Sequence, residues 1–487
     1  MRPDADWGRT SDWTSLHVAV AGIGIAGFAA ADALMQLGAQ VTIVDASDGE
    51  RQRERAGVLE TLGARVLLGH AGAVPDDIDL LVVSPGLPPS SDVIVDALGR
   101  GLPVWGELEL AWRVRDPESP AAWLCVTGTN GKTTATLMLE SILRAAGYRT
   151  AAAGNIGTSL IDVVMHEELD VIAVEVGAPQ LPFIHSVSPL AAACLNIADD
   201  HIDFFGSMEE YIAAKARIYE RTQEAAIYNV QDDVTLRMVE EADVIDGCRA
   251  IGFTLGAPGL SMLGVVDDLL VDRAFIPDRH AMAQELAVAS DVHPFAPHNV
   301  ANALAAAALA RAFGVPPRAV RDGLRAFVPA EHRIATVGVA AGVTFIDDSK
   351  ATNAHAALTS LMAFEPIVWV AGGMAKGQEF DDLVVAARDR LAGVVLLGVD
   401  RDVIAGALAR HAPDVPVIVV ETVDTGAMVE VVRQAAALAR PGDTVLLAPG
   451  CASWDMFRDY SDRGRQFAAA AAGLPGFLGA ASGGSDE

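Results

Sequence analysis

Short apolar runs alternate along the chain with longer stretches in which alanine and leucine recur at helical spacing. Runs at residues 40–45, 80–83 and 171–174 have the length of buried strands, and the stretches between such runs predict helices. The same alternation resumes near residue 343 and continues to residue 448. This pattern favours an α/β fold whose sheets are mostly parallel.

Two proline-bearing polar segments interrupt the alternation, at residues 116–120 and 328–330. Such segments are typical of linkers and domain boundaries. We therefore predict three domains, at residues 1–118, 119–330 and 331–487. A length of 487 residues fits that number.

Composition narrows the class of protein. A formal net charge of −29 argues against a nucleic-acid-binding surface and against an anionic membrane partner. The four cysteines are far apart and form no metal-binding spacing, as expected for reduced thiols in the cytoplasm. The longest apolar run, at residues 18–31, contains three glycines and is too short to cross a bilayer. We expect a cytoplasmic protein without membrane insertion.

Residues 124–134 read Leu-Cys-Val-Thr-Gly-Thr-Asn-Gly-Lys-Thr-Thr. A strand, a turn with two glycines and a helix start together present backbone N–H groups and a positive dipole end to phosphate. Lys132 can neutralise the β- and γ-phosphates of a nucleotide, and Thr133 can ligate Mg²⁺. Val126 stands where the strict phosphate-loop pattern has glycine, so the loop is a variant. The alternative is an ordinary strand-turn-helix with a capping threonine.

A second glycine-rich turn, Gly22-x-Gly24-x-x-Gly27, follows the first predicted strand, and Asp45 ends the next one. This pattern indicates a dinucleotide site, with Asp45 near the ribose. A nucleotide-sugar site on the same fold fits equally well, because the loop binds a pyrophosphate whatever is attached to it. A glycine-rich turn without a ligand is the third possibility.

Further polar residues follow predicted strands, where open α/β sheets bind ligands. Glu175 and the run Asp199-Asp200-His201-x-Asp203 are candidate Mg²⁺ ligands, although His201 alone fits a turn residue slightly better. Lys215 lies on an amphipathic helix at residues 211–219, where a lone lysine is usually solvated. Asn299 and Asn302 share a helix face and suit either an N-cap or a nucleotide contact. Three more polar loops follow strands of the last block, at residues 347–353, 372–377 and 448–455.

Taken in order, these segments resemble the Mur ligase family over nearly the whole chain. The resemblance implies a UDP-binding Rossmann-like domain, a central P-loop-type ATPase domain and a C-terminal Rossmann-like domain. It implies an ATP-dependent amide ligase of peptidoglycan synthesis that acts as a monomer with two Mg²⁺ ions. The sequence Cys451-Ala-Ser-Trp-Asp455 favours the glutamate-adding branch, with UDP-N-acetylmuramoyl-L-alanine and glutamate, the D-enantiomer expected, as substrates.

The resemblance also implies roles for individual residues. Lys132, His201 and Lys215 would be catalytic. Metal ligands would be Thr133, Glu175, His201 and, if carbamylated, Lys215. ATP would contact Gly128, Thr129, Asn130, Gly131, Lys132, Thr133, Thr134, Asn302, Arg333 and Asp348. The two other substrates would contact Gly24, Ile25, Ala26, Asp45, Ser84, Pro85, Gly86, Asn155, Gln180, Lys350, Thr352, Lys376 and Ser453.

One departure from the family pattern stands out. The family commonly has two serines after the metal-ligand glutamate, and here Gly177 and Ala178 occupy those positions. Four alternatives follow: a ligase of the same family that adds L-glutamate or another amino acid, a folylpolyglutamate synthase-like enzyme, a non-catalytic nucleotide-binding paralogue, and an NAD-dependent dehydrogenase. The last leaves Lys132, His201 and Lys350 unexplained.

Overall fold

The computed structural model describes residues 6–200, 202–329, 331–422 and 426–479, with only the backbone described for Asp203. They form three sheets in two compact units. Residues Met1–Phe295 and Asn299–Phe327 make the first unit, and Ala296–His298 and Val328–Glu487 make the second. The division into three domains at residues 118 and 330 stays a prediction.

The first sheet is entirely parallel. Its strands are β1 (His17–Ala21), β2 (Gln40–Asp45), β3 (Arg65–Leu68), β4 (Leu80–Val83) and β5 (Val104–Gly106), in the order β3-β2-β1-β4-β5. The helices that accompany it are α1 (Ile25–Gln36), α2 (Glu50–Thr61), α3 (Asp92–Gly99) and α4 (Glu107–Arg113). This strand order is that of a Rossmann-like half, in which ligands bind beyond the carboxyl ends of the strands.

The second sheet belongs to the same unit and has nine strands. They are β6 (Ala122–Thr127), β7 (Thr150–Gly154), β8 (Val171–Glu175), β9 (Ala191–Cys194), β10 (Ala225–Asn229), β11 (Arg249–Phe253), β12 (Met262–Val266), β13 (Leu269–Asp272) and β14 (Gln284–Val288). The order is β14-β13-β12-β11-β10-β9-β6-β8-β7. Only β12-β13 and β13-β14 pair antiparallel.

Seven helices follow or flank these strands: α5 (Lys132–Ala145), α6 (Leu160–His166), α7 (Ile202–Phe205), α8 (Met208–Ala216), α9 (Asp233–Glu240), α10 (Pro297–Ala312) and α11 (Pro317–Ala326). The alanine-rich α10 is buried along most of its length and packs in one apolar core with α5 and the central strands. Small alanine side chains allow that close approach, which fixes both ends of α10 against the sheet.

The third sheet lies in the second unit. Its strands are β15 (Ala335–Ala340), β16 (Val343–Asp347), β17 (Ile367–Gly372), β18 (Leu391–Leu397), β19 (Val417–Val419), β20 (Thr444–Leu447) and β21 (Leu478–Gly479), in the order β19-β18-β17-β20-β16-β15-β21. The helices are α12 (Ala354–Leu361), α13 (Asp381–Ala387), α14 (Arg401–His411), α15 (Ala427–Leu438) and α16 (Tyr460–Ala472). Short 3₁₀ helices complete the chain at Trp13–Ser15, Ala178–Phe183, Arg217–Tyr219, Ala289–Asp291 and Arg388–Arg390.

The predicted α/β class with mainly parallel sheets is confirmed. The sequence pattern did not reveal that β12, β13 and β14 form an antiparallel edge, or that β15 and β21 pair antiparallel beside β16. Within the described ranges, no helix is both long and apolar enough to cross a membrane.

Candidate functional site

The phosphate-loop candidate connects the buried strand β6 to α5. Gly128 and Gly131 both have positive φ, +151° and +85°, and Gly131 is the N-cap of α5. A Cβ on Gly131 would overlap the side-chain amide of Asn302, which α10 holds against the loop. Val126 is part of β6 itself, so the turn is shorter than the strict phosphate-loop pattern. The result is a glycine cradle at a helix N-terminus, which suits a phosphate.

Side chains distant in sequence hold this loop in shape. Asn196 accepts from the Asn130 N–H at 2.9 Å and donates to the Asn130 carbonyl at 3.1 Å. The Thr129 hydroxyl lies 2.9 Å from the Tyr211 hydroxyl and accepts from the Ala198 N–H. Tyr211 is fully buried on α8, one turn before Lys215. The sequence analysis did not single out Tyr211, and its only signal was the apolar face that it shares with Lys215.

Two lysines converge on the loop. Lys132 donates to the carbonyls of Gly128 and Thr129, both at 2.9 Å, and Lys215 donates to the Gly128 carbonyl at 2.8 Å. Lys215 is only 1% exposed, so its interpretation as a solvated surface residue is wrong. Burial, and next the charge of Lys132, lower the pKa of Lys215 to about 7. The helical pattern could not predict this burial, because α8 packs on a loop rather than facing water.

Glu175 ends β8 beside this loop. The Asn155 amide donates to its Oε1 at 3.0 Å, while Oε2 is buried without a hydrogen-bond partner. A buried carboxylate oxygen without a partner is costly unless a cation approaches it, and an oxygen donor suits Mg²⁺. Glu175 therefore fits a Mg²⁺ ligand. Thr133 opens α5 nearby in the chain, and His201, the expected second ligand, lies outside the described residues.

Within the described ranges, no group of three or more His, Cys, Asp or Glu side chains has metal-binding geometry. Gln180 and Gly177 lie just beyond Glu175. The Gln180 side chain accepts from the Gly177 N–H at 2.8 Å. A Cβ on Gly177 would lie 3.0 Å from Oδ1 of Asn155, so the missing serine position is already closely packed.

The glycine-rich turn of the first sheet meets the loop after β4, as predicted for a site at strand ends. Gly22 has φ of +89°, and a Cβ there would lie 2.9 Å from Cβ of Ser84. A Cβ on Gly27 would overlap the Gly22 carbonyl, so only glycine fits the first turn of α1. Asp45 accepts from the Ile23 N–H at 2.8 Å and so braces this turn. Residues 24–26 and 84–86 thus face the same strand ends.

In the second unit, a buried arginine that the sequence analysis missed ties two of the predicted loops together. Arg463 on α16 is 1% exposed. It donates to the Ser349 hydroxyl at 2.9 Å, to the Ser349 carbonyl at 2.8 Å and to the Cys451 carbonyl at 3.0 Å. The third loop joins them through the bridge between Met374 and Ala452. The three loops therefore form one cluster at the carboxyl ends of β16, β17 and β20.

Two adjacent carboxylates in this cluster have different surroundings. Asp347 pairs with His332 at 2.6 Å. Asp348 accepts from the Ser360 hydroxyl and from the Ile334 N–H, and burial raises its pKa to about 6, against the opposing effects of that hydroxyl and of the Arg333 charge. Asp348 is therefore a carboxylate that an additional donor would stabilise in its charged form.

Two lysines of the cluster lie over aromatic rings. Nζ of Lys376 is 4.1 Å from the centroid of Trp454, which is 62% exposed, and Nζ of Lys350 is 3.8 Å from that of Tyr460. Thr352 lies in the same loop as Lys350, and Ser453 is buried next to Trp454. A pair of ammonium groups on this surface suits a small ligand with more than one carboxylate.

Comparison with known proteins agrees with this arrangement. Residues 126–310 match the Mur ligase middle domain, and residues 332–451 match the Mur ligase glutamate ligase domain. The UDP-N-acetylmuramoylalanine--D-glutamate ligase of Streptomyces coelicolor is 58% identical over 463 residues, which cover 94% of this chain and 98% of that protein. The protein of the same name in Leifsonia xyli subsp. xyli is 49% identical, over 94% of this chain and 93% of its own.

Solved structures share the fold at low identity. UDP-N-acetylmuramate-alanine ligase MurC of Thermotoga maritima has a TM-score of 0.55 at 19% identity, covering 93% of this chain and 98% of its own. MurF of Acinetobacter baumannii has a TM-score of 0.56 at 21% identity, covering 84% and 87%. With two family domains matched and relatives of up to 58% identity covered over almost their full length, the chain belongs to the Mur ligase family.

Proposed function

We propose that this chain is an ATP-dependent ligase that joins D-glutamate to UDP-N-acetylmuramoyl-L-alanine in peptidoglycan synthesis. The observation that carries the proposal is the 58% identity, over almost the full length, to a relative named for that reaction. The phosphate loop, with two lysines on one of its carbonyls, is additional support, because a dehydrogenase would have no use for it.

The proposed chemistry activates a carboxylate. An oxygen of the alanine carboxylate attacks the γ-phosphorus of ATP, the bond to the bridging oxygen breaks, and ADP leaves. The amine of glutamate then adds to the carbonyl carbon of the acyl phosphate. The tetrahedral intermediate expels phosphate, and the nitrogen loses a proton as the amide forms. A carboxylate is a poor electrophile, so the phosphoryl group supplies the leaving group.

We assign the nucleotide to the loop from Gly128 to Thr134 and to Asn302, Arg333 and Asp348. Backbone N–H groups of the loop and the N-terminus of α5 would stabilise phosphate charge. Lys132 would leave the loop carbonyls that it contacts and pair with the transferring phosphoryl group. Glu175, Thr133, His201 and a carbamylated Lys215 would hold Mg²⁺, which when bound neutralises further charge on the phosphates.

We assign the nucleotide sugar to residues 24–26, Asp45 and residues 84–86, with Asn155 and Gln180 near its alanine end. Lys350, Thr352, Lys376 and Ser453 would surround the incoming glutamate, with Lys376 on a carboxylate. Three functional domains, at residues 1–118, 119–330 and 331–487, a cytoplasmic location and action as a monomer complete the proposal.

Loss of the two serines is compatible with this assignment. The space that a side chain at Gly177 would use is close to Asn155, which holds Glu175. Asn155 and Gln180 therefore supply polar groups next to the position where the family has serine.

The decisive experiment is phosphate release from ATP with UDP-N-acetylmuramoyl-L-alanine, compared with D-glutamate, L-glutamate and no amino acid. Release that needs both the nucleotide sugar and D-glutamate is the expected result. A preference for L-glutamate would keep the ligase chemistry and overturn the assigned enantiomer. Absence of release with either enantiomer, in a chain that still binds ATP, would favour a non-catalytic nucleotide-binding paralogue.

A further inference from the structure

The first unit contains a second cationic site, far from the phosphate loop along the strands. A cavity of about 570 Å³ is lined by Arg249, Arg279, Arg311 and residues 274–277. Arg249 begins β11, which runs parallel to β6 through β10 and β9. Strand starts and strand ends lie at opposite edges of a parallel sheet. The cavity is therefore at the edge opposite the one that carries Lys132.

The cavity is positive although the chain as a whole carries a net charge of −29. None of the residues that line it is acidic. The nearest partner carboxylate, Asp272, is fully buried and already occupied, since it accepts from Nε of Arg311 at 3.0 Å and from the N–H groups of Ala274 and Phe275. Arg311 also donates to the carbonyls of Val315 and Phe275, so it is the fixed member of the group.

Arg249 and Arg279 keep unused donors. Arg249 donates through Nη2 to the Ala274 carbonyl at 2.5 Å, and its guanidinium lies 5.3 Å from the Phe275 ring centroid. Arg279 donates through Nη1 to the Ser261 hydroxyl at 3.1 Å. Among the residues that the structure describes, the other guanidinium nitrogens of these two side chains have no hydrogen-bond acceptor. Burial, and next the charge of Arg279, lower the pKa of Arg249, as expected for two cations without a shared anion.

We propose that this cavity binds the phosphate group of a small molecule. The planar guanidinium of arginine matches the spacing of phosphate oxygens, and two such groups with spare N–H donors match a dianion. The volume is within the range of small-molecule sites, which is larger than a single phosphate needs. Phe275 supplies an apolar surface against which a ring or chain attached to that phosphate packs.

The site is connected to the phosphate loop through one rigid element. Asn302 near the start of α10 packs on Gly131, and Arg311 near its end closes the cavity. Nine residues of helix separate the two, or about 14 Å. An occupant of the cavity is therefore placed to influence the nucleotide site through α10 without touching it.

The test is isothermal titration calorimetry on the full chain carrying Lys132→Ala, which weakens phosphate binding at the loop. Inorganic pyrophosphate and AMP are the two probes, because one has the phosphate chemistry alone and the other adds a ring. Each is titrated with and without the second change Arg279→Gln. Arg318→Gln is the matched control, since Arg318 is 83% exposed on α11 and outside the cavity.

We expect Arg279→Gln to weaken binding of at least one probe by about tenfold or more, as for loss of a charge-assisted hydrogen bond, with no effect of Arg318→Gln. Tighter binding of AMP that Phe275→Leu abolishes would assign the occupant to ring-bearing phosphates, and equal binding would assign it to the phosphate group alone. Equal affinity with and without Arg279, or no binding of either probe up to about 10 mM, would overturn the proposal. Thermal melting of each variant distinguishes loss of the site from loss of the fold.

Discussion

The side-chain amines of Lys132 and Lys215 donate to the same acceptor, the carbonyl oxygen of Gly128, at 2.9 and 2.8 Å. Two ammonium groups so placed repel each other, and Lys215 is also fully buried, so its pKa falls to about 7. A neutral amine is a nucleophile at neutral pH and can add to CO₂. The position that the resemblance expects to be carbamylated thus has the physical property that the modification requires.

The first prediction is a pH dependence of stability that arises from Lys215. The unfolded chain protonates this amine up to its ordinary pKa of 10.5, while the folded chain protonates it only below about 7. The unfolded state binds more protons between these values, so stability rises with pH across that window. Relative to Lys215→Met, the wild-type free energy of unfolding should rise by at most ~5 kcal/mol, at about 1.4 kcal/mol per pH unit.

Chemical denaturation in CO₂-free buffers measures this difference from about pH 6 to about pH 10.5. Glu140 and Arg144, an exposed pair elsewhere in the unit, would contribute equally to both proteins and cancel. A difference that stays flat with pH would show that Lys215 keeps its ordinary pKa.

The second prediction separates the roles of the two lysines. Lys215→Ala should lower kcat by about 100-fold or more and regain part of it when formate or acetate is added, because a small anion can replace the carbamate. Lys132→Ala should lose activity to a similar degree without rescue, since its proposed role needs a positive charge. Steady-state phosphate release gives both numbers. Rescue of Lys132→Ala, or none for Lys215→Ala, would contradict the assignment.

The sequence was informative where function depends on neighbours in the chain. The loop from Gly128 to Thr134 and its strand could be predicted because backbone shape, charge and helix start are all local. The burial of Lys215 could not, because it depends on packing against a loop 87 residues earlier. Asn196 was noticed only as a polar residue after a strand, and its clamp on Asn130 appears only in three dimensions.

Arg463 shows the same limit in the second unit. On α16 it stands among alternating polar and apolar residues, and nothing local distinguishes it from the exposed Arg465 two positions later. Its three acceptors lie 12 and 114 residues away. The three polar loops were predicted as sites from their places after strands, while the side chain that holds two of them together was not.

The third prediction uses two glycines with the same backbone geometry. Gly131 and Gly147 have φ of +85° and +87°, but a Cβ on Gly131 would overlap Asn302 and one on Gly147 would meet open space. Gly131→Ala should raise the KM for ATP by about tenfold or more, because the loop or Asn302 must move. Gly147→Ala should cost only the ~1–2 kcal/mol of backbone strain in the fold, with KM unchanged.

Steady-state kinetics with ATP varied, together with thermal melting, distinguishes the two effects. The pair removes backbone strain as an explanation, since both positions share it. A KM for ATP that changes equally in both variants would mean that contact between Gly131 and Asn302 is unimportant for the nucleotide.

The fourth prediction concerns Arg463, which positions the proposed glutamate loops. Arg463→Met leaves the Ser349 hydroxyl and carbonyl and the Cys451 carbonyl without their donor, at a cost of ~3–5 kcal/mol for a buried charged network. Loosening these loops should raise the KM for glutamate by about tenfold while the KM for the nucleotide sugar, assigned to the first unit, stays near wild type. Arg465→Met is the matched control, because Arg465 is 59% exposed on the same helix. A fall in stability with an unchanged KM for glutamate would show that Arg463 supports the fold alone.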